Sequence, residues 1–107
     1  MERLLDFLVE ESVIKTKLGK ASDWIPNVAH KVYFEENEIV IALDERYLSS
    51  LVMVGDDMQV TQTLEGYEYI LNCIITQISI EPKRIILLRV NDFKKIQILR
   101  GVNLTKC

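Results

Sequence analysis

Little in this chain is suited to catalysis. His30 is the sole histidine, and no Ser or Cys nucleophile stands near it in a recognisable motif, so no catalytic triad is legible. The four glycines are scattered at turns, which excludes a glycine loop that grips phosphate. The two cysteines, Cys73 and Cys107, lack metal-ligand spacing. They read as free cytosolic thiols, with a disulfide between them the other option. Basic residues are outnumbered: 13 Lys and Arg stand against 16 Asp and Glu, for a net charge of −3, the wrong sign for a nucleic-acid footprint. No apolar run approaches the roughly 18 residues of a membrane span, and no signal peptide opens the chain. The expected location is therefore the cytoplasm, with no membrane contact. The acidic residues follow no calcium-loop pattern, and neither metal nor cofactor is expected.

What is present is ordinary globular material. Of the 107 residues, 49% are apolar and 27% charged, enough for a single domain with a real core. Residues 2–11 read as a short helix, with Leu4, Leu5, Leu8 and Val9 as its apolar stripe; a helix so short must lean on something. Residues 12–18 turn β-like, and 20–27 read as a loop in which Trp24 serves as a lid on the core or as a binding anchor. Residues 28–34 alternate, with Val28, His30, Val32 and Phe34 on one face. A polar turn, 35–38, leads into Ile39, Ile41 and Leu43, making a hairpin. Asp44 then caps a short helix over 45–52, with Tyr47, Leu48, Leu51 and Val52 inward.

The chain is organised around residues 54–100. A strand over 58–64 meets a tight reversal at Glu65-Gly66, where Gly supplies a positive φ. A long strand over 67–80 follows, with Tyr67, Tyr69, Leu71, Cys73 and Ile75 on one side and Ile70, Ile74, Ile78 and Ile80 on the other. After Glu81-Pro82 comes a strand over 83–90, a turn at Asn91-Asp92 and a last strand that sets Ile96 and Ile98 inward. The two long strands are apolar on both faces, and such strands are covered on both faces. The cover is the N-terminal helix, a partner domain or a second copy of the chain. The expected fold is mainly β: a six- to seven-stranded antiparallel split barrel over 12–100, with the helix over 1–11 packed on it and a tail or linker over 101–107.

Three sets of side chains are candidate sites. Lys94, Lys95 and Arg100, with Lys83 and Arg84, form a modest basic patch or a solvated polar face. Tyr33, Tyr67 and Tyr69, beside Lys31 and Lys95, offer stacking platforms for single-stranded nucleic acid, which net acidity opposes. Asp56, Asp57 and His30 are the residues an enzyme would have to use.

The runs Val54-Gly55-Asp56-Asp57-Met58, Glu65-Gly66-Tyr67-Glu68-Tyr69, Ile74 to Ile78, 84–88 and Lys94-Lys95-Ile96-Gln97-Ile98-Leu99-Arg100 carry a resemblance. Over roughly residues 39–100 the chain resembles the N-terminal, PilZN-like domain of bacterial flagellar brake proteins, which contain a PilZ domain that binds cyclic di-GMP. The resemblance implies a PilZ-like split barrel used for protein contacts in cyclic di-GMP signalling and motility. That family clamps its ligand with an Arg-x-x-x-Arg element, for which two charged forks are suited. Here Arg100 matches the first arginine, but Leu104 stands at the second, and the later Asp/Asn-x-Ser-x-x-Gly element is missing. Arg100 is thus at most a remnant of a degenerate or absent cyclic di-GMP site. The expected function is a non-catalytic regulatory or protein-interaction domain, engaging a protein partner or itself; the alternative is a small β-barrel binder of single-stranded nucleic acid.

Overall fold

The computed structural model describes residue 5 and residues 8–19, 23–48 and 52–98. Seven antiparallel strands form one curled sheet, a half-barrel: β1 (Ser12–Leu18), β2 (Ile25–Ala29), β3 (Lys31–Tyr33), β4 (Glu38–Ala42), β5 (Asp57–Leu64), β6 (Tyr67–Ser79) and β7 (Ile85–Gln97). A single turn of helix, α1 (Glu45–Leu48), sits between β4 and β5. The strand order is β2-β1-β5-β6-β7-β4-β3.

The two edges of that order, β2 and β3, are separated in the chain only by His30. Two edges can be one residue apart only if the sheet curls until they meet. His30 is therefore the corner at which one extended run stops pairing with β1 and starts pairing with β4. The corner also corrects the reading of 28–34 as one alternating strand. Ala29 and Val32 are both buried while His30 is exposed, because the backbone is rephased where it changes partner.

Alternation builds the core. Ile14 of β1, Ile39 and Ile41 of β4, Met58 and Val60 of β5, Leu71 and Ile75 of β6, and Ile86 and Leu88 of β7 are essentially inaccessible. Truncating any one of them costs about 2–5 kcal/mol. The β5–β6 hairpin closes through Glu65 (φ 52°) and Gly66 (φ 85°), both central residues being positive as a type I′ turn requires. Between β6 and β7 the Glu81-Pro82 peptide is cis.

The strand expected to end at Val90 and the one expected after Asp92 are a single 13-residue strand. Asn91-Asp92 is not a turn. The register passes from Cys73↔Val90 to Asn72↔Asp92, so Asn91 is an extra residue, a β-bulge. The bulge returns Phe93 to the core side, where it packs against the core and against the Tyr69 ring at 5.9 Å. Ile96 consequently points out and is 42% exposed, the reverse of the inward position expected. A second bulge lies on β6, where Ile75↔Leu88 is followed by Gln77↔Leu87. It rephases Ile78, expected opposite Ile75, onto the core side.

Half of the helix expected over 2–11 lies outside the described residues. Of it, Leu5 and Leu8 are buried in the core. Residues 8–11 form a turn rather than a helix: Glu11 has a φ of 69°, and the Ser12 amide donates to the Val9 carbonyl at 3.2 Å. The segment is anchored at the corner. The Glu11 amide donates to the Ala29 carbonyl (2.7 Å), and the Glu10 carboxylate accepts from the Val32 amide (2.9 Å). Leu5 and Leu8 thus join the inner core cluster; the outward Ile70, Ile74, Ile85 and Leu87 stay half-buried. The tail over 101–107 lies outside the described residues.

Of the helix expected over 45–52, α1 covers 45–48, residues 49–51 lie outside the described residues, and Val52 is not helical. Asp44 caps α1 through its carboxylate, which accepts from the Arg46 amide at 2.9 Å. Tyr47 is driven inside, 1% exposed. Its hydroxyl meets Thr16 Oγ1 and accepts from Asn27 Nδ2 at 3.1 Å. Thr16 Oγ1 donates onward to the Ile25 carbonyl (3.2 Å), and Asn27 Nδ2 also donates to the Ala42 carbonyl (3.3 Å). With the Thr16 proton so used, Tyr47 donates to Thr16. Every member then has a partner, as a buried polar network must. The network ties α1 to β1, β2 and β4.

Candidate functional site

Two features of the outer face stand out. The first is a polar row. Lys17 lies opposite Gln59, Gln59 opposite Asn72, and Asn72 opposite Asp92. The row crosses β1, β5, β6 and β7, a span of about 14 Å at ordinary strand spacing. Alternation sends these side chains outward, because Met58 and Cys73 beside them face the core. Gln59 Nε2 donates to Asn72 Oδ1 at 3.0 Å, and Asn72 Nδ2 donates to Asp92 Oδ1 at 2.6 Å. The Asn91 bulge is what sets Asp92 opposite Asn72. The row floors a groove of about 570 Å³, which Gly19, Asp57, Met58, Cys73 and Asn91 also line. At its Lys17 end, the ammonium lies 4.9 Å from the centroid of the Trp24 ring.

Trp24, read from sequence as a lid on the core or a binding anchor, lies between β1 and β2. It is 37% exposed and contacts Lys17, a residue of the groove lining, without lining the groove itself. Sequence reading missed the row because its four members come from four strands, and only the register brings them together.

The second feature is apolar. Val40 on β4 lies opposite Leu87 on β7, and Ala42 opposite Ile85. With Tyr33, Gln77 and Ser79, the residues Val40, Ile85 and Leu87 line a shallow groove of about 150 Å³.

The residues singled out from sequence are dispersed. His30 is at the sheet corner, exposed, with its amide donating to the Val40 carbonyl at 2.9 Å. Asp56 holds a turn, its carboxylate accepting from the Met53 amide at 2.9 Å. Asp57 opens β5 and lines the polar groove. Lys95 does meet Tyr67 and Tyr69, its ammonium 4.3 and 5.7 Å from their ring centroids. Tyr69 belongs to the core side, whereas Tyr33 stands outward beside Lys31 on β3. The three tyrosines therefore share no single platform. The basic residues divide likewise: Lys83 and Arg84 precede β7, and Lys94 and Lys95 lie near its far end, roughly 33 Å away along an extended chain. Arg100 lies outside the described residues.

Cys73 is buried, and burial, aided by the charge of Asp92, pushes its thiol up to about 12. That thiol is no nucleophile at neutral pH. Among the described residues, no three His, Cys, Asp or Glu side chains gather as a metal site. None of the described helices is long and apolar enough to cross a membrane.

Comparison with known protein families, with curated proteins and with solved structures found no match.

Proposed function

We propose that this chain is a non-catalytic regulatory domain that works by protein contact through the outer face of β4 and β7. The observation that carries the proposal is the Val40–Leu87 and Ala42–Ile85 pairing on that face. It leaves apolar side chains half-buried beside an open groove. A sheet face of this kind is what protein interfaces use, since covering it removes apolar area from water at about 25 cal/mol per Å². The resemblance to the accessory domain of flagellar brake proteins agrees with that role, and with cyclic di-GMP binding that is weak or absent.

A photo-crosslinking residue at Val40 tests the proposal in cells of the source organism. The expected result is a defined crosslinked species, either with a partner protein or with a second copy. The same probe at Lys15, on the outer face of β1, should give none. Crosslinking equal at the two positions, or absent from both, would reject the proposal. Isothermal titration with cyclic di-GMP should show no tight binding. The cluster of Lys95 with Tyr67 and Tyr69 favours the second reading, a single-stranded nucleic-acid binder. Salt-sensitive retention on an oligonucleotide column, abolished by Lys95→Ala, would support it in place of the first.

A further inference from the structure

The polar row has a pattern that sheet stability alone does not ask for. Asn72 stands between Ile70 and Ile74 on the outer side of β6, where an apolar residue would continue the face. Its amide is held by partners on both neighbouring strands, so the row is preorganised. Yet it is not used up. After these two bonds Gln59 keeps its Oε1 and one N–H, Asn72 keeps one N–H, and Asp92 keeps Oδ2. Acceptors and donors thus alternate along the floor of a groove whose volume lies within the range of small-molecule sites. A β-bulge, a device often placed beside binding sites, positions the last member.

The lining decides what kind of ligand fits. Two carboxylates, Asp57 and Asp92, face one ammonium, Lys17, so an anion such as a phosphate is disfavoured. An apolar ligand would strand the amides and carboxylates without partners. A neutral molecule that offers hydroxyls as both donors and acceptors satisfies the row without burying charge. Beyond the Lys17 end of the groove the partly exposed Trp24 ring lies against the Lys17 ammonium, placed to meet the C–H side of a ring that extends past the lining.

From this juxtaposition we infer that the groove binds a neutral saccharide, lying across β1, β5, β6 and β7, with Gln59, Asn72 and Asp92 bonding its hydroxyls and Trp24 flanking it. The site is independent of the β4–β7 protein-contact face, and either can fail without the other.

The test is titration of isotope-labelled protein with neutral mono- and disaccharides, followed by amide and indole resonances, with guanosine as the comparison ligand. At least one saccharide should shift the Gln59 and Asn72 side-chain amides and the Trp24 indole N–H. Asp92→Asn and Gln59→Ala should each weaken that binding by about tenfold or more, the loss of a hydrogen bond to a ligand hydroxyl. Both should retain the parent circular dichroism, since neither residue is in the core. No shift with any saccharide, shifts located elsewhere on the barrel, or tighter binding of guanosine would each overturn the inference.

Discussion

The hydroxyls of Tyr47 and Thr16 meet inside the barrel, 31 residues apart in sequence. One comes from the single turn of helix after β4 and the other from the middle of β1. Their bond, with Asn27 as the third member, fastens the seam where the sheet returns to itself.

Tyr47→Phe is expected to destabilise the fold by about 1–3 kcal/mol, because it leaves Asn27 Nδ2 and Thr16 short of a partner in a buried place. Thr16→Val alone should cost a similar amount. The double variant should cost less than the sum, since the lost bond is shared. Urea unfolding of the four proteins measures this directly, and strict additivity would show that the two hydroxyls are not coupled.

The Cys73 thiol gives a pH dependence whose sign follows from burial. Its folded pKa is raised from an ordinary 9.0 to about 12. Between those values the folded chain holds a proton that the unfolded chain has released. Its contribution to stability is therefore complete below pH 9 and is lost as pH rises toward 12. In a Cys107→Ser background, a thiol reagent at pH 8 should label the native protein only at the rate at which it opens. Immediate stoichiometric labelling would contradict this.

Asp44 works at the opposite end of the scale. The Arg46 side chain donates to its carboxylate at 2.7 and 2.9 Å, which, with the bond from the Arg46 amide, lowers its pKa from 3.8 to about 2. Stability from this group is present above pH 4 and lost as pH falls toward 2. Asp44→Ala should cost about 1 kcal/mol, mostly through the lost helix cap. Asp44→Asn should retain most of the cap while flattening the acid limb of the stability curve.

At the β5–β6 turn, Glu65 holds a φ of 52° that an ordinary side chain resists. Glu65→Asn should raise stability by a few tenths to about 1 kcal/mol, since Asn tolerates the left-handed region. Gly66→Ala, at φ 85°, should lower it by about 1 kcal/mol. Thermal melts of the two variants should move in opposite directions.

The Asn91 bulge makes an asymmetric prediction. Deleting Asn91 leaves Val90 in, Asp92 out and Phe93 in, so the alternation survives and a cooperative melt is expected. Inserting an alanine after Asn91 keeps Phe93 inward in plain alternation but slides it from opposite Leu71 to opposite Tyr69, forcing that end of the core to repack at a cost of about 1–3 kcal/mol. If both variants unfold alike, β7 is not paired in this register.

Much of this architecture is visible in the order of residues. The limits of β1 and the stretch from β5 to Ile75 of β6 follow from alternation and from Glu65-Gly66, because local pattern and final pairing agree there until the β6 bulge. The errors fall where one residue does something the pattern does not encode. Asn91-Asp92 has the composition of a turn and becomes a bulge, because the β6 strand opposite is long enough to keep pairing. His30 continues an alternation that the corner breaks. Trp24 has the area of a core residue but lies on the chain between two strands that fill the core with Ile14 and Ile25. The candidate groove was not legible at all. No spacing relates Lys17, Gln59, Asn72 and Asp92 until the strands are laid side by side.

The return of the sheet upon itself at His30 has a mechanical meaning. One short length of backbone serves as both borders, so neither border can shift without dragging the other. A displacement of β2 therefore reaches β3 through the backbone of His30 itself. Cutting the chain at that single position should free the two sides and let the half-cylinder open.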